Sequence, residues 1–229
     1  MVDVTTFAQA LLGPKGVLFW LVTAAAALAT VIIFAINTRS RDAVDAALRE
    51  AANGHAAIGI FELCGPGASN AIHDKALVAP ERLWCYDEAY LDKFVEVAAK
   101  STTSFGDRAL QRYVRPTLVW NDVAFAIALS LFSVLALLGI APFLSCQPWS
   151  SYLMLIFASM GVCYGVADVA EDWKLLTILD NGAPVDPTGA ASANALTRVK
   201  LVTISISIIG GATFLLLSLV AKLSRRFSA

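Results

Sequence analysis

Charge is scarce in this sequence. Only 15% of its 229 residues are charged and 58% are hydrophobic, whereas an ordinary globular domain has about 25% charged residues. The 17 Lys and Arg nearly balance the 18 Asp and Glu, so the net charge is −1. Nucleic-acid-binding proteins usually carry a clearly basic surface. The composition therefore argues against an ordinary soluble domain and against nucleic acid as a partner.

Cysteine, histidine and catalytic motifs are also scarce. Four cysteines without a C-x-x-C pair make neither a disulfide scaffold nor a zinc ribbon. The two histidines, His55 and His73, lie outside the apolar stretches, which excludes haem ligation by two histidines inside a helix bundle. The sequence contains no H-E-x-x-H, no G-x-S-x-G and no glycine-rich phosphate loop. We therefore expect no catalytic residues, no metal ion and no cofactor, and a protein that is not an enzyme.

Long apolar runs, in contrast, are abundant. A bilayer core about 30 Å thick requires roughly 20 consecutive apolar residues in a helix. Four stretches meet this length, at residues 17–36, 117–144, 151–179 and 197–221. The first is longer than the apolar part of a signal peptide, usually about 7–15 residues, and is expected to be retained. The sequence predicts an all-α fold, with residues 1–229 forming a single four-helix domain in a lipid bilayer.

The one sizeable polar region, residues 38–115, separates the first two spans. Apolar residues at helical spacing predict amphipathic helices over residues 41–54 and 86–100, with irregular Gly- and Pro-containing backbone between them. Pro116 fits the first turn of the second membrane helix. Residues 180–195, rich in Pro, Gly and Ala, are expected to form a flexible loop. The polar region is thus predicted to be a small helical extramembrane cap, too short to build a large core of its own.

Two kinds of residue give opposite indications of orientation. Lys and Arg near the span ends are more frequent on the side of the large loop than on the side of the termini, and such flanks are typical of the cytoplasmic side. Cys64 and Cys85 favour the other side, because they would form a disulfide in an oxidising compartment. The basic C-terminal run that ends at Arg226 favours it too. We give the flanking charges more weight and expect residues 38–115 to be cytoplasmic, in a bacterial cytoplasmic membrane.

Charged residues inside membrane helices cost about 2.5–3.5 kcal/mol at the bilayer centre, so they are usually paired or functional. Three sets of polar residues lie at span ends that share one membrane face in either orientation: Asn121 and Asp122; Asp168, Glu171 and Asp172; Arg198 and Lys200. Asp168 shares a helix face with Glu171 and Asp172, because they are three and four residues apart. Lys200 or Arg198 is the expected cationic partner. Asn121 and Asp122 are expected to add hydrogen bonds.

These residues support several interpretations. We favour a polar cluster that clamps the packing of the second, third and fourth spans, since polar groups in lipid associate with one another. The alternative is a proton or cation site in a small oligomeric channel or transporter. The least favoured is a membrane enzyme with Asp168 and Glu171 as acid and base or as metal ligands. Gly161 and Gly165 form a G-x-x-x-G motif, predicted to pack against another helix of the chain or, less favoured, a second copy.

The same region carries a family resemblance. W-N-D at residues 120–122, D-x-x-E-D at 168–172 and T-x-x-K at 197–200 resemble motifs of small uncharacterised bacterial four-span membrane proteins. The similarity covers roughly residues 113–215, and it implies a shared architecture and polar site without an established activity. Asp172 stands where that group tends to have Asn, so the site is more acidic here. We expect an accessory, assembly or signalling component that contacts other membrane protein subunits or itself.

Overall fold

The computed structural model describes residues 16–64, 68–140 and 148–227. These residues form six helices and no strand: α1, Gly16–Ala51; α2, Ala68–Asp74; α3, Glu88–Lys100; α4, Ala109–Ile140; α5, Pro148–Asn181; and α6, comprising Pro187–Ser205, Ile206–Gly210 and Gly211–Phe227. Single turns of 3-10 helix lie at Glu62–Cys64 and Pro80–Arg82. Four helices, α1, α4, α5 and α6, are long and apolar enough to cross a membrane. The predicted all-α fold with four candidate membrane spans is confirmed, and the chain is an integral membrane protein.

The chain divides into two compact units. The membrane unit contains Met1–Val31, Ala126–Val166 and Lys200–Ala229, and the polar unit contains Ile32–Phe125 and Ala167–Val199. The polar unit therefore includes one end of every spanning helix as well as the large loop. The predicted organisation, a single four-helix membrane domain with an extramembrane cap over residues 38–115, stays a prediction.

The polar unit has an extensive apolar core. Leu48 of α1, Phe94 of α3, Leu118 of α4 and Leu175 of α5 are all fully buried in it. Ala193 of α6 belongs to the same core. Most of the buried side chains in this core lie within residues 38–115, and α4, α5, α6 and the segment before α6 add the others. Burying each large side chain stabilises the unit by about 1.5–3 kcal/mol. The expectation that the loop alone cannot build a large core stays a prediction.

Two helices of the polar unit begin at aspartate caps. Asp87 accepts a hydrogen bond from Tyr90 N at 2.9 Å at the start of α3, and Asp186 accepts one from Gly189 N at 2.8 Å at the start of α6. Pro187 occupies the first turn of α6, where its missing N–H is not needed. The prediction of a flexible loop over residues 180–195 is therefore wrong from Pro187 onward, since an alanine-rich helix follows the cap.

Helix α4 begins earlier than predicted. Its first residue is Ala109, so Pro116 lies inside the helix and not in its first turn. Residues Tyr113–Asp122 adopt the wider π-helical winding. Proline lacks an N–H and clashes with the preceding turn of an α-helix, and a π segment accommodates such an insertion. The Thr117 hydroxyl donates a hydrogen bond to Arg112 O at 3.2 Å within this segment.

In the membrane unit, both glycines of the G-x-x-x-G motif lie at helix contacts within the chain. A Cβ atom added at Gly161 would lie 3.2 Å from Ser133 Cβ on α4 and 3.3 Å from Ser207 Oγ on α6. One added at Gly165 would collide with Ser130 Oγ on α4. The motif on α5 therefore packs against neighbouring helices of the same chain, as small residues do in membrane proteins.

Candidate functional site: a buried ionic cluster

Asp122 joins α1 to α4. Its side chain ends the π segment, and only 2% of the residue is exposed. Arg41 Nη2 lies 2.5 Å from both carboxylate oxygens of Asp122, and Asn37 Nδ2 donates to Oδ1. Asn37 and Arg41 share one face of α1 because they are four residues apart. Ser40 Oγ, on the same stretch of α1, lies 2.9 Å from Thr117 Oγ1 on α4.

Glu171 forms a second buried centre, between α5, α6 and the loop before α3. It has no exposed surface. Tyr86 Oη donates to its Oε1 at 3.2 Å, and Thr197 Oγ1 donates to the same oxygen. The hydroxyls of Tyr86 and Thr197 are also 3.2 Å apart. Three segments that are distant in the sequence thus meet at one carboxylate.

A loop of the polar unit brings a further carboxylate to the helix ends. Glu81 lies in the single turn Pro80–Arg82, which two contacts fix to α1. Ala79 N donates to Asp45 Oδ1 at 2.8 Å, and Arg82 Nε lies 2.8 Å from Asp45 Oδ2. One oxygen each of Glu81, Asp122 and Asp172 lies within 4.8 Å of the other two. We call the residues Asn37, Arg41, Glu81, Tyr86, Asp122, Glu171, Asp172 and Thr197 the ionic cluster.

Three carboxylates this close together provide the oxygen ligands that Mg²⁺ and Ca²⁺ prefer. Both carboxylate oxygens of Asp122, however, already accept hydrogen bonds from Arg41 Nη2. The same guanidinium interacts electrostatically with Glu81. A divalent cation on all three carboxylates would therefore displace Arg41 or bind directly beside its positive charge. In the described arrangement, Arg41 is the counter-ion of Asp122.

Two tryptophans mark the depth of the ionic cluster. Trp120 and Trp173 are 70% and 69% exposed. Trp120 precedes Asp122 by two residues, which is about 3 Å along a helix, and Trp173 directly follows Asp172. Exposed tryptophans are typical of the lipid–water interface, and α4 continues from Asp122 into the uncharged segment Val123–Ile140. These observations predict that the ionic cluster lies at the edge of the hydrocarbon region.

The structure brings together part of the predicted set. Asp122 and Asp172 approach each other, and Glu171 contacts Thr197, so the ends of the second, third and fourth spans do contribute to one cluster. Glu171 and Asp172 are adjacent on α5 and point about 100° apart around the helix. One helix end consequently serves both carboxylate centres.

Other predicted residues have different surroundings. Asn121 is half-buried, and the amide that donates to Asp122 belongs to Asn37. Arg198 is exposed on α6. Asp168 is buried one turn before Asp172. Lys200 is buried in the membrane unit, and its expected pairing with the carboxylates stays a prediction.

The residues that sequence reasoning missed lie on α1 and in the loop. Asn37 and Arg41 continue the helical spacing of the first span beyond its apolar part, and that continuity could have identified them. Glu81 lies in a single turn of 3-10 helix and Tyr86 in irregular backbone, where no periodicity relates them to the spans.

Cys64 and Cys85 form a disulfide, with their Cα atoms 5.6 Å apart. Cys85 is buried and directly precedes Tyr86, whereas Cys64 is exposed. The disulfide therefore tethers the loop segment from which the Tyr86 hydroxyl reaches Glu171.

Comparisons of the chain with protein-family models, curated proteins and solved structures find no match. The resemblance to small four-span membrane proteins stays a prediction. A function for the ionic cluster must therefore come from its geometry.

Proposed function

We propose that this chain is a non-enzymatic component of a membrane assembly, in which the ionic cluster clamps the helix ends and the polar unit contacts other membrane protein subunits or a second copy. The supporting observation is the way the buried carboxylates are engaged. Asp122 is held by Arg41 and Asn37, and Glu171 by Tyr86 and Thr197. Carboxylates that make such contacts fix the packing of the helices and are poorly placed to bind a substrate.

The energetics of buried ion pairs support a clamp. Removing one partner of such a pair is strongly destabilising, by about 3–5 kcal/mol, because the other charge stays buried. Arg41 and Asp122 come from different helices, α1 and α4, so an alternative packing of these helices that kept either charge buried without its partner would incur that penalty. The pair thus favours one arrangement of these helix ends over alternatives that leave it broken.

A surface for partner contact lies away from the clamp. A groove of about 450 Å³ runs between the end of α1 and the end of α3. Glu50, Glu96 and Lys100 line it together with small and apolar side chains. Glu50 is nine residues beyond Arg41, about 13 Å along the helix. A partner in this groove would therefore not disturb the ionic cluster.

The test combines a groove variant with purification from native membranes. We expect the full chain, extracted in mild detergent, to elute with a companion subunit in fixed ratio or as a defined oligomer by light scattering. The charge-exchanged variant Glu50→Lys with Lys100→Glu should lose the companion while keeping the wild-type melting temperature. Asp74→Lys, at an exposed site outside the groove, is the matched control. A wild-type protein that elutes as a monomer without a companion would refute the proposal.

We further propose that the polar unit faces the oxidising side of a bacterial cytoplasmic membrane. The disulfide between Cys64 and Cys85 supports this orientation, because structural disulfides persist in oxidising compartments. Long loops also translocate largely regardless of their charge. The cytoplasmic placement expected from the flanking charges is the competing prediction. A cysteine introduced at the exposed His55 should react with an impermeant maleimide in intact cells, and protection from labelling there would support the cytoplasmic placement.

Cation handling is the second candidate function. The observation that favours it is the approach of Glu81, Asp122 and Asp172 to within 4.8 Å. Titration of the purified protein with Mn²⁺, followed by electron paramagnetic resonance, distinguishes the two functions. A clamp predicts no bound Mn²⁺. Stoichiometric binding that disappears in Asp172→Asn would favour the cation site.

A further inference from the structure

An exposed apolar patch lies on the loop of the polar unit. Ile60 and Phe61 are 57% and 65% exposed. The Phe61 ring lies 5.8 Å from the half-buried ring of Trp84, and Trp84 N donates to Ile60 O at 3.1 Å. We call Ile60, Phe61 and Trp84 the loop patch. It is separate from the core of the polar unit, to which none of its three residues belongs.

The loop patch is close in the chain to residues of the ionic cluster, which predicts a similar depth in the membrane. Trp84 falls between Glu81, whose carboxylate reaches Asp122 and Asp172, and Tyr86, whose hydroxyl reaches Glu171 at 3.2 Å. Both residues reach the cluster with a single side chain. Because each residue spans at most about 3.6 Å of chain, the backbone at Trp84 is within about 7 Å of that at Tyr86, whose side chain reaches helix ends predicted to lie at the edge of the hydrocarbon region. The headgroup layer of a bilayer extends over a comparable distance, about 5–8 Å on each side.

Two contacts keep this part of the loop in shape. Gly59 N donates to Glu62 Oε2 at 2.6 Å, and Lys75 pairs with the other oxygen of Glu62. The disulfide between Cys64 and Cys85 closes the same segment just beyond the loop patch. Ile60 and Phe61 are consequently held outward by a braced loop.

We propose that the loop patch inserts into the interfacial region of the bilayer. The supporting argument is that the same unit presents two other exposed aromatic side chains, Trp120 and Trp173, at the ends of its spanning helices. Aromatic rings are favoured at headgroup depth, and exposed apolar side chains there gain burial in lipid. The occupant of the loop patch is thus the lipid surface itself. The proposal is independent of the identity of any protein partner.

Environment-sensitive labels test this proposal in the full chain. Cys146 and Cys163 are first replaced by alanine so that the disulfide holds the only other cysteines. A cysteine is then introduced at residue 60 or 61 and labelled with NBD in vesicles of phosphatidylcholine and phosphatidylglycerol. We expect a blue-shifted emission that spin-labelled lipids quench and that aqueous iodide leaves unchanged. His55→Cys, exposed in the turn after α1, is the control and should respond to iodide alone.

The outcomes separate the occupants of the loop patch. Quenching of the label at residue 61 by iodide, as at residue 55, would overturn the proposal and leave the patch in water. Quenching by neither agent would overturn it in favour of a second copy of the chain, since purified vesicles contain no other protein. Both side chains are more than half exposed, so neither Ile60→Cys nor Phe61→Cys should disturb the fold. Agreement between the two variants excludes a local effect of either substitution.

Discussion

The clamp makes a quantitative prediction about Arg41 and Asp122. Replacing Asp122 with alanine leaves the Arg41 guanidinium without the carboxylate that it contacts at 2.5 Å on both oxygens. The Arg41 side chain is 20% exposed, so the remaining charge is only partly hydrated. Asn37 Nδ2 also loses its acceptor. Asp122→Ala should therefore be among the most destabilising single substitutions in the polar unit.

The expected loss is about 3 kcal/mol. Breaking a buried ion pair costs about 3–5 kcal/mol, and the lower end applies here for two reasons. Arg41 keeps some contact with solvent. The substitution also removes repulsion between Asp122 and the nearby carboxylates of Glu81 and Asp172. The double variant Arg41→Met with Asp122→Ala leaves no unpaired charge at this contact, so we expect it to lose only about 1 kcal/mol and to be more stable than Asp122→Ala.

Reversible unfolding in mixed micelles, with both single variants and the double variant, measures the coupling between the two residues. Arg41→Met leaves the buried Asp122 without its counter-ion and should itself be destabilising, so the double-mutant cycle should give a coupling energy of more than about 2 kcal/mol. Arg49→Met on the exposed face of α1 and Asp74→Ala on α2 are matched controls and should stay within about 0.5 kcal/mol of the wild type. If the losses of the single variants simply add, or if Asp122→Ala behaves like Asp74→Ala, the ion pair does not clamp these helices.

Three further predictions concern other parts of the molecule. Gly165→Val should lower the melting temperature or the yield of folded protein by forcing α5 away from Ser130, whereas Val166→Ala at an exposed neighbour should change little; equal yields would contradict the packing. The hydrogen bond from Arg112 lowers the pKa of the Asp107 carboxyl from its usual value of 3.8. The ionised carboxylate should therefore stabilise the fold above pH 3.8, and this stabilisation should be lost as the pH falls below that value. At this partly exposed site it amounts to at most about 1 kcal/mol. Asp107→Asn should flatten this part of the pH–stability curve, and an unchanged curve would show that the interaction contributes nothing. The disulfide closes a loop of 21 residues, so its reduction should destabilise the polar unit by about 3 kcal/mol. Thermal unfolding with and without phosphine measures this loss, and identical curves would contradict a structural role.

Hydropathy and topology predicted much of this fold. The four spans followed from run length, because the bilayer requires about 20 apolar residues per helix. The connection between the third and fourth spans then placed the end of one and the start of the other at the same membrane face. The contact between Glu171 and Thr197 joins these two helix ends. The helix from Glu88 to Lys100 followed from the helical spacing of its apolar residues. These inferences need only local pattern and chain direction.

The helix ends and the ion-pair partners required tertiary information. Hydropathy ends the first span near residue 36, but α1 continues to Ala51 because Val44 and Leu48 are buried in the polar unit. Pro116 indicated a helix start, yet the π segment carries α4 through it. Packing and winding overrode local preference in both cases, which is how propensity usually fails.

The partner of Asp122 shows why a shared membrane face is insufficient to predict contacts. Several Lys and Arg residues are predicted to lie at the same membrane face, and chain topology does not indicate which of them pairs with Asp122. The choice of Arg41 depends on the extension of α1 beyond the apolar span and on the π segment, which together bring its guanidinium onto both oxygens of Asp122. The features that sequence patterns predict least well, helix ends and irregular winding, therefore determine which charges pair, and the same features give this cluster its capacity to hold one arrangement of the spans.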